Sequence, residues 1–303
     1  MAGKFTAKDV QSLRQKTGVG MMECKSALEE ADGDFDEAIS ILRKRGVAKA
    51  AKKADRIAAD GVVAVKIKDD IGVIVEINTE TDFVAKNERF KKFTGCVLET
   101  ILNNDPKNLE DLSQLNACGS DLTVEKALQE EILTIGENIK IRRFVKLKGK
   151  LMSYVHGGGT IAVLVKFNDD VDLNNDRFVE YAKNIAMQIA AANPRYLEPK
   201  EIPQNVLDEE TEILKQQVIN SGKPENIADK IVAGKIKKFY QEVCLKEQEY
   251  VKENKLTVDE YTKKVSKELN FPIEILKFVR MEKGEGIEKK LDNFADEVSS
   301  MLG

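Results

Sequence analysis

The sequence predicts an α+β fold: a small N-terminal three-helix domain, a duplicated antiparallel sheet-plus-helix core, an inserted antiparallel coiled-coil hairpin and a C-terminal amphipathic helix. Three observations predict it. The apolar period is helical through the first part of the chain, changes to two from Gly61, and turns helical again after Ile77. The order strand, strand, helix, further helix, strand then occurs twice, which lets each unit bury one sheet face under its helices. Between Pro203 and Val243 the apolar residues thin to a stripe that suits the seam of a two-helix hairpin, not the face of a core.

Thr6 is placed to cap a first helix carrying Val10 and Leu13, which Gly18-Val19-Gly20 breaks. A second helix runs through Ala27 and Leu28 to Gly33. A third carries Phe35, Ala38, Ile39 and Leu42 on one face and stops at Gly46, closing a domain of residues 1–46. Met21 and Met22 are neighbours, about 100° apart on a helix, so a small body cannot easily bury both. Either one is core and the other exposed, or the pair is a pliable apolar patch for a partner. The stretch RKRGVAKAAKKADR, Arg43–Arg56, holds seven basic residues and one acid. It reads as a solvated basic helical linker over residues 47–60, with a contact to RNA phosphates as the sharper alternative.

A first core subdomain spans residues 61–149. Val63, Val65 and Ile67 alternate in one strand, Asp69-Asp70 turns, and Ile71, Val73, Val75 and Ile77 alternate in the next. A helix then carries Phe90, Phe93, Val97 and Ile101. After a loop around Asn103–Pro106, another helix carries Leu128, Ile132 and Ile135 and stops at Gly136; a strand follows over Ile141–Gly149. The second subdomain, residues 150–202 and 244–283, repeats the order. Its hairpin turns at His156-Gly157-Gly158-Gly159, its helix carries Phe178, Ala182, Ile185 and Ile189, and its last strand is EILKFVRMEKG. The insert of residues 203–243 breaks at Ser221-Gly222-Lys223-Pro224, with Leu207, Leu214 and Val218 facing Ile227, Ile231 and Ile236. Residues 284–303 form a last module whose stripe is Ile287, Leu291, Phe294, Val298 and Met301.

The chain is 303 residues long with a formal net charge of -4, so overall electrostatics give no reason to expect general binding to nucleic acid or to an anionic membrane. No apolar run approaches the roughly 20 residues that span a bilayer, and the N-terminus reads neither as a signal nor as a transit peptide. Cys24, Cys96, Cys118 and Cys244 are scattered without metal-ligand spacing, as expected of reduced thiols in a cytoplasmic protein. His156 is the single histidine, which removes most acid–base machinery and histidine metal sites. With no phosphate loop, no nucleophile elbow and no paired carboxylates that stand out, the expectation is a non-enzyme without catalytic residues, metal or cofactor, whose work is to hold another macromolecule.

The stretch INTETDFVAKNERF poses the sharpest question. Phe83 is in helical phase with Phe90, Val97 and Ile101, which reads as core. It also falls in a first turn, where Thr81 or Asp82 is placed to cap and side chains lean toward the N-terminus, so the ring would overhang the helix end at an angle that Asp82 fixes.

LRQKTGVGMMECKSAL, KAAKKADRIAADG, TDFVAKN, IGENIKIRR, SYVHGG, SGKPENIADKIVAGKIKKF and GEGIEKK, in this order, resemble elongation factor Ts, the guanine-nucleotide exchange factor of elongation factor Tu. The resemblance covers essentially the whole chain. It implies a UBA-like helical head, a two-part core, a coiled-coil hairpin and a C-terminal module. It implies that the chain binds elongation factor Tu·GDP and releases GDP by displacing elements around the magnesium ion and phosphates. The implied contacts to the GTPase are Thr81, Asp82, Phe83 and Val84, of which Asp82 and Phe83 help dislodge the partner's magnesium. His156 and Gly157, Arg14, Met21 and Met22, and Ile135 and Gly136 complete the set. The family often has a basic residue after the second hairpin turn; Gly158-Gly159-Thr160-Ile161-Ala162 lacks it, which leaves no cation at that place.

Overall fold

The computed structural model describes residues 5–221, 225–253 and 255–288, with the side chains of residues 225–228 left aside. The structure is α+β, with two small antiparallel three-stranded sheets among helices. The chain divides into two units, one from residues up to 64, 75–144 and 282 onward, the other from residues 65–74 and 145–281.

The first unit begins with α1 (Ala7–Thr17), α2 (Met21–Glu30) and α3 (Phe35–Lys53). Thr6 caps α1 in a reciprocal box with Asp9, and Gly18 ends it in the left-handed region at φ 72°. Helix α2 ends at Glu30, three residues before the expected Gly33, because Asp32 and Gly33 both adopt positive φ. Val10, Leu13, Cys24, Ala27, Leu28, Ala38, Ile41 and Leu42 form the core of this head together with Leu133.

Helix α3 does not stop at Gly46 but runs to Lys53. A lone glycine costs a helix only about 1 kcal/mol, and the residues that follow are strong helix formers. Gly46 is buried where α3 packs on a later helix; an added Cβ would meet the Gln129 carbonyl oxygen at 3.4 Å and the Leu133 side chain at 3.6 Å. Here glycine marks a close approach, not an end.

Strands β1 (Asp60–Lys68), β2 (Ile71–Thr79) and β3 (Ile139–Lys148) form a sheet in that order. The turn at Asp69 and Asp70 is as expected, with Asp69 at φ 54°. The alternation expected of β2 is not observed, for Gly72 through Thr79 are all buried. As the central strand it is covered on both faces, and its polar positions Glu76 and Asn78 are buried as fully as Val75 and Ile77.

Helix α4 (Asp82–Ala85) is a single turn, separate from α5 (Glu88–Asn103), which buries Phe90, Phe93, Val97 and Ile101 as its periodicity predicts. Helix α6 (Leu109–Gln114), too short to show a period, has no counterpart in the sequence reading. Helix α7 (Val124–Ile135) ends at Gly136 with φ 88° and packs on α3 and α5.

In the second unit β4 (Lys150–His156) pairs antiparallel with β5 (Ile161–Phe167), from Lys150 opposite Phe167 to His156 opposite Ile161. Helix α8 (Asp176–Ala192) lies on this pair and buries Phe178, Ala182, Ile185 and Ile189. Helix α11 (Val258–Leu269) buries Val258, Tyr261 and Val265 in the same core, and β6 (Ile275–Glu282) joins the sheet beside β5. The repeated order implied a further helix before the last strand, but sequence reading did not place α11, although Thr257 and Glu260 form a capping box that signals its start.

Helices α9 (Gln204–Asn220) and α10 (Glu225–Val243) pack on each other through Leu214, Val218 and Val232, with Ile231 and Ile236 half-buried at the seam. Val232 is an addition to the expected stripe, and the Ile227 side chain lies outside the described residues. At the base, Phe239 and Val243 are buried with Ile202 and Cys244, against Tyr196, Val206 and Leu207. The base is therefore part of the body and the rest is an appendage. Replacing residues 208–238 by a short flexible linker is expected to leave the cooperative melting of the remainder within a few degrees of the intact chain. Loss of that transition by circular dichroism would show the appendage to be integral. The expected C-terminal stripe Leu291, Phe294, Val298 and Met301 lies outside the described residues.

Candidate partner-binding surface

The segment after β2 is held by a residue far along the chain. The Thr79 hydroxyl donates to Glu137 Oε2 at 2.8 Å, the Thr81 N–H donates to the same oxygen at 3.0 Å, and the Thr81 hydroxyl donates to Glu137 Oε1 at 2.7 Å. In return the Asn138 N–H donates to Glu80 Oε1 at 2.6 Å. The end of α7 and the entry to α4 are thereby one hydrogen-bonded unit. This brings Thr81 together with Ile135 and Gly136 on either side of Glu137, a residue that sequence reading did not single out. The Lys53 ammonium donates to the Gly136 carbonyl at the same corner.

These bonds correct the expected cap. Thr81 occupies the N-cap position of α4, but its hydroxyl serves Glu137 and makes no cap hydrogen bond. Asp82 does not cap either: its carboxylate accepts from Lys86 at 2.7 Å, and that ammonium holds its carboxyl below the usual carboxylate range. The cap of α5 is Asn87, whose side chain accepts from the Arg89 N–H at 2.8 Å.

Phe83 therefore sits on a turn of its own, outside the α5 stripe. It is 79% exposed, whereas Val84 beside it is buried. The core reading of Phe83 fails on that exposure. The Lys86 Nζ lies 6.0 Å from the ring centroid, so one cation braces both Asp82 and the ring. Among the described residues, Phe83 is a large apolar ring left in water with the Lys86 ammonium over it.

The head carries a second apolar feature. Met21 is 41% and Met22 73% exposed at the start of α2, so neither belongs to the core and the expectation of one core methionine is not met. Gly20 precedes them without a side chain to cap the helix, and Arg14 is exposed on α1. Both methionines project from the first turn because the inner face of α2 is already filled by Cys24, Ala27 and Leu28.

In the second unit, His156 closes β4 and is exposed. The Tyr154 hydroxyl and His156 Nδ1 are 3.1 Å apart, which orients the imidazole from its own strand. Gly157, Gly158 and Gly159 have φ of 57°, 64° and 103°, a run that only glycine adopts without strain. The turn closes as Thr160 N–H donates to the His156 carbonyl at 3.0 Å and the Thr160 hydroxyl to the Gly157 carbonyl at 3.0 Å. With Val155 also exposed, the hairpin tip offers a small apolar and polar surface and no acid or base partner for the imidazole beyond Tyr154 among the described contacts.

The basic stretch is largely engaged within the protein. Arg43 pairs with Glu130, Arg45 with Glu23 and Glu30, Lys49 with Glu23 and Arg56 with Glu80. No group of three or more potential metal-ligating His, Cys, Asp or Glu side chains occurs among the described residues. None of their helices is long and apolar enough to cross a membrane. All four cysteines are free thiols.

Comparison with known proteins gives one consistent result. A family model described as elongation factor TS matches residues 80–285. The elongation factor Ts of Clostridium perfringens (strain SM101 / Type A) is 47% identical over 304 residues, which cover 99% of this chain and 99% of that relative. The elongation factor Ts of Syntrophotalea carbinolica is 46% identical over 301 residues, covering 98% and 99%.

Proposed function

The chain belongs to the elongation factor Ts family, proteins of translation elongation, and from that premise we propose that it binds elongation factor Tu·GDP and promotes release of the nucleotide. No bond in either protein changes; the factor acts by occupying space that the nucleotide-bound partner needs. The observation that carries this reading is Phe83, an apolar ring four-fifths exposed on a turn fixed by Glu137 and Lys86. In the proposed complex, Asp82 and Phe83 push between the elements that hold the partner's magnesium and phosphates. Thr81, Val84, Ile135 and Gly136 support that wedge, His156 and Gly157 form a second contact, and Arg14, Met21 and Met22 seat the head on the GTPase domain. The repeated order of the two sheets reads as an internal duplication, α9 and α10 as a coiled-coil arm, and the cytoplasm as the compartment.

Magnitudes explain why the contacts are spread. A nucleotide held at nanomolar affinity has about 12 kcal/mol of binding free energy. Loosening it ten-thousandfold requires a coupling of about 5.5 kcal/mol. One apolar ring of this size contributes roughly 1.5–3 kcal/mol when buried, so Phe83 alone is insufficient and the head and the hairpin tip must share the task. Linkage makes the effect reciprocal: whatever the factor does to nucleotide affinity, nucleotide does to the factor's.

Adding the protein to elongation factor Tu loaded with a fluorescent GDP analogue is expected to accelerate release many-fold. Unchanged release together with salt-dependent RNA binding would favour the alternative, an RNA-binding role for Arg43–Arg56, a segment whose ion pairs already neutralise most of its charge. Removing residues 208–238 is expected to weaken the complex and retain part of the exchange.

His156 is proposed to act by shape, oriented by Tyr154. His156→Gln is expected to lower exchange modestly and to leave its profile between about pH 6 and 8 unaltered in form. A single ionisation in the wild-type profile that disappears in the variant would overturn the steric role.

A further inference from the structure

Glu137 follows the Gly136 cap of α7 and takes no part in the contacts assigned above, yet its described hydrogen bonds all serve the segment that leads into Phe83. Its two carboxylate oxygens accept from the Thr79 hydroxyl at 2.8 Å, the Thr81 N–H at 3.0 Å and the Thr81 hydroxyl at 2.7 Å. Bonds to a carboxylate are the stronger kind, and two donors from one residue fix its rotation as well as its position. Phe83 stands just beyond. The turn that carries it needs such support, for α4 is four residues long, has no side-chain cap and buries only Val84. A single turn holds itself poorly, because nucleating a helix costs more than its first hydrogen bonds contribute.

The same corner reaches back to the helical head, within the first unit. Asn138, buried next to Glu137, donates its N–H to Glu80 Oε1 at 2.6 Å and its side-chain amide to the Arg56 carbonyl at 2.7 Å, just past α3. The Lys53 ammonium, at the end of α3, donates to the Gly136 carbonyl. Leu133, one helical turn before Glu137, is buried in the head's own core with Ile41 and Leu42, where Gly46 lets α3 approach. Helix α7 thus carries part of the head's core and, at its end, the clamp on the Phe83 turn. Met21 and Met22 project from that head, so the two apolar contacts are built on one support.

We infer that Glu137 is a positioning residue for nucleotide release: by clamping Thr81 it fixes the direction in which Phe83 leaves the body and its place relative to Met21 and Met22. The inference rests on the wedge reading given above and adds the group that aims the wedge. An unclamped turn presents the ring in many directions, and the ordering then required on binding weakens the push on the partner. Misplacement of a working group lowers rate more than it lowers binding. The rival role for a carboxylate at this place is charge, an attraction for the partner's magnesium. Glutamine separates the two. Its oxygen accepts where Glu137 Oε2 accepts, and its NH2 donates to the Thr81 hydroxyl, which also accepts, but it carries no charge.

Release of a fluorescent GDP analogue from elongation factor Tu, followed across factor concentrations and expressed per folded molecule, tests it. Glu137→Ala is expected to lower the plateau rate about five- to twentyfold and to move the half-saturating concentration less than about threefold. Glu137→Gln is expected to stay within about threefold of wild type. Combined with Phe83→Ala, Glu137→Ala is expected to slow release no more than about twofold beyond Phe83→Ala alone, whereas combined with His156→Gln it keeps its full effect. A loss of stability would act equally with and without the ring, so the cycle separates aim from folding. The inference is overturned if Glu137→Ala releases at the wild-type rate while Phe83→Ala is slow, or if its effect persists in full without the ring. It is overturned equally if Glu137→Gln is as slow as Glu137→Ala, which marks charge as the agent. If Phe83→Ala itself releases at the wild-type rate, the wedge reading fails and this inference with it.

Discussion

Phe83→Ala is expected to slow GDP release from elongation factor Tu by about ten- to hundredfold, the kinetic equivalent of roughly 1.4–3 kcal/mol, while leaving the urea midpoint of the factor nearly unchanged. The two halves of this expectation come from one fact. A ring that is 79% exposed contributes little to its own fold, so truncating it falls in the class of surface substitutions, within about 0.5 kcal/mol. A buried phenylalanine such as Phe90 would cost about 3–5 kcal/mol. Whatever Phe83 does, it does when another surface covers it. Release rate and urea midpoint measured on the same variant check this. Unchanged release would remove Phe83 from the wedge, and a midpoint loss of several kcal/mol would contradict its exposure.

Glu76→Gln is expected to destabilise the first unit by about 3 kcal/mol. Glu76 is fully buried in β2 and accepts from Arg142 at 2.9 Å, Arg143 at 2.6 Å, the Asn78 amide and the Gly284 N–H. Burial by itself would raise its carboxyl pKa, but these four donors together hold it below the usual range. Removing the charge strands two guanidinium groups; because both are partly exposed, the low end of the cost for a broken buried pair applies. Glu285→Gln, which removes an exposed carboxylate beside Arg143, should cost less than about 1 kcal/mol. Urea unfolding of the two variants makes the comparison, and equal losses would deny Glu76 its central role. The pH dependence follows from the sign of the shift. A carboxyl whose folded pKa lies below its unfolded value stabilises the protein fully above the unfolded value, about 4.3, and loses that contribution as pH falls through the folded pKa. Wild type and Glu76→Gln should therefore begin to converge in stability as pH falls below the unfolded value and meet only below the folded pKa.

The amphipathic elements were legible because their evidence is local. The stripe of Phe90, Phe93, Val97 and Ile101, the stripe of Phe178, Ala182, Ile185 and Ile189, and the Thr6 and Gly136 boundaries are set by residues three or four apart, and the structure has each of them. Errors fall where a local rule met a distant partner. Gly46 reads as a stop and is a packing contact with α7; β2 reads as half-exposed and is covered on both faces. Thr81 reads as a cap, yet its hydroxyl is taken by Glu137, 56 residues away.

The sequence by itself determined the class of fold, the order of its strands and long helices, and the family, since each rests on residue types at short spacing. Only the tertiary structure decided that Phe83 leaves the α5 stripe and stands in water, and that neither Met21 nor Met22 is core. Those outcomes depend on contacts that no local period encodes. The turn under Phe83 is set by a carboxylate 56 residues beyond Thr81, and the turn at Gly284 by one 208 residues before it. Hydrogen-bonding groups far apart in the chain find one another only when the sheet between them has formed and excluded the water that would otherwise satisfy them.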